Sequence, residues 1–417
     1  MTAQAFTTLF LAALLLTLSA KTVLMLRQIR HVRNCRDRVP EPFSTSISLE
    51  SHHKAADYTG ARMRLGLVDT FVGALLVLVL TLGGGLDFIH VRLSPWFEPG
   101  GLAHGVGLLA ALGILGWLLD LPFTIYRTFV TEKRFGFNRT TPALFVTDLA
   151  RGAVLAALIG LPVLLVVLWM MDATGEHWWL WVWAFWIGFN LLALFLWPTF
   201  IAPMFNKFTP LADQSLRRRV ENLLSRCGFR ARGLFVMDGS RRSAHGNAYF
   251  TGFGSARRIV FFDTLLAKLE PQEVEAVLAH ELGHFHHRHI WKRMAVSATM
   301  SLAMLWLLGW LMTQDWFFAG LGAQHPGTAM ALALFALVLP AFSFPLAPLI
   351  SHWSRVHEFE ADRYAARQTN AEDLVSALVK LYRDNAATLT PDPVFSRFFD
   401  SHPPAAIRVA RLRQAAA

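Results

Sequence analysis

Pro271-Gln272-Glu273-Val274-Glu275-Ala276-Val277-Leu278-Ala279-His280-Glu281-Leu282-Gly283-His284, residues 271–284, joins a helix start to two histidines four positions apart. Proline suits the first turn of a helix, where its missing N–H costs nothing, and Glu273 and Glu275 complement the positive end of the helix dipole. The spacing predicts a helix from Gln272 to His289. Residues four apart share a helix face, so His280 and His284 can offer two imidazole nitrogens to one Zn2+ at roughly 2.0–2.1 Å. Glu281 stands one step round the helix, beside the metal without being forced to bind it. That is the place of a general base for a water whose pKa the metal lowers towards about 7. His286, His287 and His289 follow and read as interfacial polar residues rather than ligands.

The rest of the chain is far more apolar than this helix. Of 417 residues, 54% are hydrophobic and 16% charged, against about 25% charged in ordinary soluble domains, and the mean hydropathy is +0.39. An ordinary soluble enzyme, a disordered chain and a coiled coil are all excluded. Two cysteines far apart, Cys35 and Cys227, do not make a disulfide framework. A helix needs roughly 20 predominantly apolar residues to cross about 30 Å of hydrocarbon. Seven stretches qualify, near 5–26, 67–87, 102–126, 144–170, 178–203, 294–313 and 329–350. The first reads as a retained helix, because Met1 to Phe10 carries no basic residue and a cleavable leader begins with a positive region.

Lys and Arg outnumber Asp and Glu by 39 to 29, and most of that excess lies in short loops. Eight basic residues between Arg27 and Arg64 follow the first span, and Arg127, Lys133, Arg134 and Arg139 follow the third, whereas the loops after spans two, four and six hold only Arg92. Basic short loops stay on the cytoplasmic side. The N-terminus is therefore expected outside, with residues 205–293 and the tail after 352 in the cytoplasm. Trp178, Trp179, Trp181 and Trp183 fit an outer interfacial belt. No basic stripe with interleaved aromatics is present, so the partner is a lipid bilayer and not nucleic acid. Asp148 and Arg151, three apart in the fourth span, are expected to pair or line a polar chamber, or else to snorkel to the nearby cytoplasmic interface.

A hydrolytic zinc site takes three protein ligands and leaves one position open. Ser354-Arg355-Val356-His357-Glu358-Phe359-Glu360-Ala361-Asp362 lies just past span seven, on the same side as the histidine pair. Spans six and seven form a hairpin out and back, which returns Glu358 to the membrane surface where His280 and His284 stand. Glu358 and Asp362 are four apart, so one carboxylate can ligate while the other accepts a hydrogen bond from a ligand histidine. Glu360, on roughly the opposite face, is the alternative ligand. In the polar segment, Leu234-Phe235-Val236-Met237 and Ile259-Val260-Phe261-Phe262 read as strands, and Asn247-Ala248-Tyr249-Phe250-Thr251 as a weaker third.

Further blocks narrow the reading: Glu132-Lys133-Arg134-Phe135-Gly136-Phe137-Asn138, Ile201-Ala202-Pro203-Met204-Phe205-Asn206-Lys207-Phe208, the run Gly239 to Phe250, Ser354-Arg355 with Glu358, Ala361 and Asp362, and Ser401-His402-Pro403-Pro404 with Arg408. In these words and their order, from about residue 130 to 410, the sequence resembles the integral-membrane CAAX prenyl proteases, seven-span zinc metalloendopeptidases. The resemblance implies a mainly α membrane protein, with seven transmembrane helices around a chamber and a cytoplasmic α+β zincin-type metalloprotease domain. It divides the chain into a five-span membrane domain (1–204), a cytoplasmic α+β segment (205–293), spans six and seven (294–352) and a C-terminal helical segment completing the zinc site (353–417). It implies one Zn2+ per chain on His280, His284 and Glu358, Glu281 as the catalytic base and Asp362 behind the ligands. Asn247, Ala248 and Tyr249 would pair with an extended peptide or protein C-terminus, prenylated or not, by strand addition. His402 would stabilise the oxyanion and Arg408 would hold the substrate, or else pin the C-terminal helix.

Two other duties stay open at this level. Arginine outnumbers lysine 32 to 7, a bias associated with GC-rich bacterial genomes, which points to a bacterial inner membrane; a eukaryotic source would place the chain in the ER membrane. In a bacterium without prenylation the same chemistry would serve membrane-protein quality control without prenyl specificity. A multipass transporter with an incidental metal site is the alternative of a different class, and it leaves the Glu358 and Asp362 spacing unexplained.

Overall fold

The computed structural model describes residues 1–230, 233–251 and 258–416. Seven of its helices, or helical runs, are long and apolar enough to cross a membrane. The first four are α1 (Ala3–Asn34), α2 (Leu49–Leu80), α3 (Leu102–Tyr126) and α4 (Pro142–Ala173). Each start except that of α3 has a hydroxyl cap: Thr2, Ser48 and Thr141 accept from backbone N–H groups three residues on, each cap contributing about 1 kcal/mol. Helix α3 runs into a π turn at Arg127–Glu132, and α5 (Trp178–Leu196) into another at Trp197–Ile201. Pro122 and Pro198 lie within five residues upstream of, or inside, these two turns, where the missing donor breaks the regular ladder.

The second span is displaced from its expected position at 67–87. Helix α2 begins at Leu49, because Ser48 caps it, and its first half is too polar, with His52, Lys54, Asp57 and Arg62, for hydropathy to detect. It stops at Leu80 before Gly83-Gly84-Gly85, where Gly84 turns with φ +74°, and residues Gly85–Leu93 form a separate short helix. Helix α1 likewise outruns its apolar stretch as far as Asn34.

A four-stranded sheet follows, of β1 (Phe208–Pro210), β2 (Gly233–Met237), β3 (Ala248–Thr251) and β4 (Arg258–Phe262), in the order β1-β2-β4-β3. β2 and β4 are parallel, and the outer strands run antiparallel to them. Strand β1 has no signature in the sequence: three residues ending in proline carry no alternation to read, and proline suits an edge strand such as this one.

Helix α6 (Gln214–Arg226) covers the sheet together with α7 (Pro271–His286), which opens as the sequence indicates: Pro271 stands in the first turn, and Glu270 and Glu273 form a reciprocal capping box. The sixth span is α8 (His289–Leu311). The seventh, α9 (Thr328–Ser343), passes through a 3-10 turn at Phe344–Leu346 straight into α10 (Ala347–Gln368). The segment bearing Glu358 is thus a continuation of the span itself. Helices α11 (Ala371–Asp384), α12 (Pro393–Phe399) and α13 (Ala405–Ala416) close the chain.

Two cores result. One joins the sheet to α6, α7, α11 and α13 through Val220, Leu223, Ile259, Phe261, Leu278, Leu282, Ala377 and Val409, and takes in Phe43 and Ile47 from the connection between α1 and α2. Each fully buried large side chain there contributes about 1.5–3 kcal/mol. The other ties the opposite ends of the spans through Phe10, Leu86, Leu108, Leu168, Leu308, Phe317 and Leu334. Between the cores the spans turn their apolar surface outward: the apolar windows of six are 6–17% buried, but that of the seventh is 39% buried. The seventh span is the most covered of the seven and carries its continuation against α7.

Candidate active site

Helix α10 crosses α7 and brings four polar side chains together. His280 Nε2 and His284 Nε2 converge to 3.3 Å. Glu358 places one carboxylate oxygen 3.5 Å from His280 Nε2 and the other 3.4 Å from His284 Nε2. The three ligand atoms lie within 4.8 Å of one another. Glu358 is 2% exposed, so its charge is removed from water, which is costly unless a cation or donors compensate. Glu281 projects beside them, half-buried, and has no hydrogen-bond or ion-pair partner among the described residues.

Behind the ligands, Asp362 Oδ1 lies 2.9 Å from His280 Nδ1. Arg408 from α13 grips the same carboxylate with two nitrogens, at 2.8 and 2.6 Å. A histidine that donates Nδ1–H to a carboxylate keeps its Nε2 lone pair for a metal. Burial opposes a charge on the His280 ring, but the Asp362 and Glu358 carboxylates outweigh it and push the imidazole up to about 9. A cation at Nε2 would take the place of that proton. Arg408 itself is 5% exposed and engaged with Asp362, which in turn lies against His280. His402, on the loop before α13, is exposed and sets Nδ1 2.7 Å from Glu358 Oε2.

The residues fit zinc by two tests. Two imidazole nitrogens and one carboxylate are the donor set of hydrolytic zinc, with a fourth position left for water or substrate. Glu358 Oε2, moreover, is fully buried and accepts no well-aligned hydrogen bond, although His402 Nδ1 lies 2.7 Å and Arg408 Nη1 3.7 Å from it; a buried anionic oxygen ringed by nitrogens without a good hydrogen bond is one a cation satisfies. Glu360, the alternative ligand, is outside this trio: its Oε2 lies 2.7 Å from His289 Nε2.

Strand β3 forms the sheet edge next to α7, with Phe250 and Phe285 rings 5.1 Å apart. Asn247 immediately precedes it, and its Oδ1 accepts from the Ala248 N–H at 2.8 Å. A cavity of about 760 Å3 opens on the other side of His402, lined by Met25, Tyr58, Arg62, Glu132, His245, Tyr382 and Phe399 among others. Within it Glu132, on the π turn of α3, accepts from Tyr58 Oη at 2.5 Å and lies 3.4 Å from His245 Nε2. Glu132 and His245 sit in motif blocks, but nothing local in the sequence ties them to Tyr58. Asp148 lies 4.0 Å from Arg151, as the spacing allows, yet its main partner is Arg242, at 2.8 and 2.9 Å. That bond fastens the loop before β3 to the fourth span.

The comparisons with known proteins agree with this architecture. Residues 28–207 match the domain described as the CAAX prenyl protease N-terminal region with five membrane helices, and residues 210–416 match peptidase family M48. The chain is 34% identical to CAAX prenyl protease 1 homolog of Arabidopsis thaliana over 94% of this chain and 93% of that one. It is 32% identical to CAAX prenyl protease 1 of Saccharomyces cerevisiae over 90% of this chain and 88% of that protein. The crystal structure of S. mikatae Ste24p superposes with a TM-score of 0.91 at 30% identity, covering 98% of this chain and 99% of that one. With seven helices long and apolar enough to span a membrane, three side chains able to hold a metal where two helices cross, and relatives matching 90–94% of its length, the chain belongs to peptidase family M48, as a multipass membrane metalloendopeptidase of the CAAX prenyl protease type.

Proposed function

We propose that the chain binds one zinc ion through His280, His284 and Glu358, and hydrolyses a peptide bond near the C-terminus of an extended, prenylated CAAX-type substrate on the cytoplasmic face of its membrane. The observation that carries this reading is the convergence of the three ligand atoms beside an unpartnered Glu281. Basic loops on the side of the metal helix support the orientation. The names of the relatives and the apolar part of the cavity, with Met25, Met63, Phe395 and Phe399, support a lipid-modified tail.

When bound, zinc supplies Lewis acidity, lowering the pKa of a water towards about 7 and polarising the scissile carbonyl. Glu281 removes the proton of the attacking water and returns it to the leaving amine; such transfer contributes roughly 10²–10⁴-fold. Asp362, held by Arg408, keeps the His280 hydrogen on Nδ1 and the ring in place. A ring N–H of His402 donates to the carbonyl oxygen as it gains charge. The open edge of β3 takes the substrate as an added strand, which reads main chain and leaves sequence preference weak.

The test is cleavage of paired prenylated and unprenylated CAAX peptides by purified, zinc-loaded protein. Faster turnover of the prenylated member is expected. Equal turnover of the two would assign the quality-control duty, and failure to bind zinc would remove the site.

A further inference from the structure

We infer that His289 and Glu360 form a hydrogen-bonded chain that fixes the tautomer and orientation of His284, and that they are positioning residues rather than a second metal centre; the inference rests on reading His280, His284 and Glu358 as the zinc site. His289, five residues after His284, sets its Nδ1 2.9 Å from His284 Nδ1. Its Nε2 lies 2.7 Å from Glu360 Oε2. The ring is 1% exposed and stacks on His357, with centroids 3.9 Å apart and planes 12° from parallel.

By distance alone His289, His357 and Glu360 could hold a cation, since their ligand atoms lie within 4.8 Å of one another. The buried His357 Nδ1 has no hydrogen-bond partner, which strengthens that rival reading. The protons decide against it. For His284 to offer the Nε2 lone pair to zinc, its hydrogen must sit on Nδ1, because a neutral imidazole has one donor and one acceptor nitrogen. A bond between two Nδ1 atoms needs one of each, so His289 Nδ1 is the acceptor. The hydrogen of His289 is then on Nε2, where it points at Glu360. A nitrogen that carries a hydrogen has no lone pair for a metal. The arrangement that readies His284 for zinc thus closes His289 to a cation.

The two ligand histidines then have matching supports: His280 donates to Asp362, which Arg408 anchors, and His284 donates to His289, which Glu360 anchors. The backbone between them fits this purpose. Arg288, between α7 and α8, adopts a left-handed conformation with φ +56° and ψ +33°, costly for any residue with a side chain. The helix break at this residue leaves His289 seated against His284, and strain held beside a site is a sign of a geometry worth keeping.

Zinc affinity, measured by chelator competition on the full-length protein in detergent, tests the inference separately from proteolysis. Wild type is expected to bind one zinc. His289→Phe, which removes the acceptor, is expected to weaken binding 10–100-fold, the usual effect of losing a partner behind a ligand histidine. His289→Asn, which offers an oxygen near the Nδ1 position, should restore affinity to within about threefold of wild type. Should His289→Phe fail to fold, Glu360→Leu carries the test and is expected to weaken zinc several-fold. Two zinc ions per wild-type chain, unchanged affinity in the variant that folds, or equal loss in His289→Phe and His289→Asn would each overturn the inference. Absence of zinc from wild type would instead overturn the site it rests on.

Discussion

Gly283 and Ala361 meet across the crossing of α7 and α10: a Cβ built on Gly283 would stand 2.8 Å from the Ala361 Cα and 3.1 Å from its carbonyl oxygen. Only hydrogen fits there, and the close approach lets Glu358, one turn before Ala361, reach both histidines. Gly283→Ala is expected to push the helices apart. Overpacking of this kind costs about 1–3 kcal/mol, and the ligand trio opens with it. Thermal melting and zinc titration of the variant check this. Wild-type zinc affinity would show that the tripod tolerates a wider crossing.

Glu281 differs from its neighbours in having no partner among the described residues. Glu281→Gln keeps the size of the side chain and removes its basicity, so zinc binding should survive within a few-fold while peptide cleavage falls by at least the roughly 10²–10⁴ attributed to acid–base transfer. Metal analysis and turnover on the same sample separate the two. Retained turnover would take the proton from Glu281 and give it to another group.

Asp362 serves two partners, His280 and Arg408. Asp362→Asn leaves Arg408 buried without its main counter-charge, and breaking a buried pair in this way costs roughly 3–5 kcal/mol. The double variant Asp362→Leu with Arg408→Leu removes both charges and should recover most of that stability. It should not recover zinc affinity, because His280 still lacks its acceptor. Stability and affinity measured across the three proteins would distinguish a support for the fold from a support for the metal.

Much of this arrangement is legible from local signals. The proline and glutamates at the start of α7 announce the helix, the four-residue spacing pairs His280 with His284, and the hairpin of two spans brings Glu358 back to them. The failures have a common cause. Hydropathy follows lipid contact, so it could not see the polar first half of α2, and a three-residue strand such as β1 has no period. Side chains whose partners are remote are equally silent. His289 reads as an interfacial residue until Glu360, 71 residues on, is placed against it, and Tyr58 finds Glu132 at a separation of 74.

The charge on His280 gives the zinc effect a pH dependence. The carboxylates raise the imidazole from its ordinary 6.5 to about 9 in the metal-free protein. A raised value means that the protonated ring stabilises the metal-free fold fully below pH 6.5, and that this contribution is lost as pH rises through about 9. Zinc binds only the neutral ring, so it must displace the proton at low pH. The rise in melting temperature on adding zinc should therefore be larger at pH 8.5 than at pH 6. An equal rise at both would mean that His280 is already neutral without the metal.

Strand β3 offers a test of substrate pairing that leaves the metal alone. The Phe262 N–H donates to the Asn247 carbonyl at 3.0 Å, and the register then pairs Tyr249 with Val260. Antiparallel ladders alternate, so Asn247 and Tyr249 point their polar backbone at β4, while Ala248 and Phe250 turn theirs to the open edge. Among the described residues the Ala248 N–H is met there by the Asn247 side chain alone, which an incoming peptide carbonyl can replace. Ala248→Pro deletes that outward donor and no ladder bond. Zinc content and thermal stability should stay near wild type, while kcat/KM for peptides falls tenfold or more, about 1.4 kcal/mol or above. Unchanged kcat/KM would mean that substrate runs along a different edge, whatever the metal does.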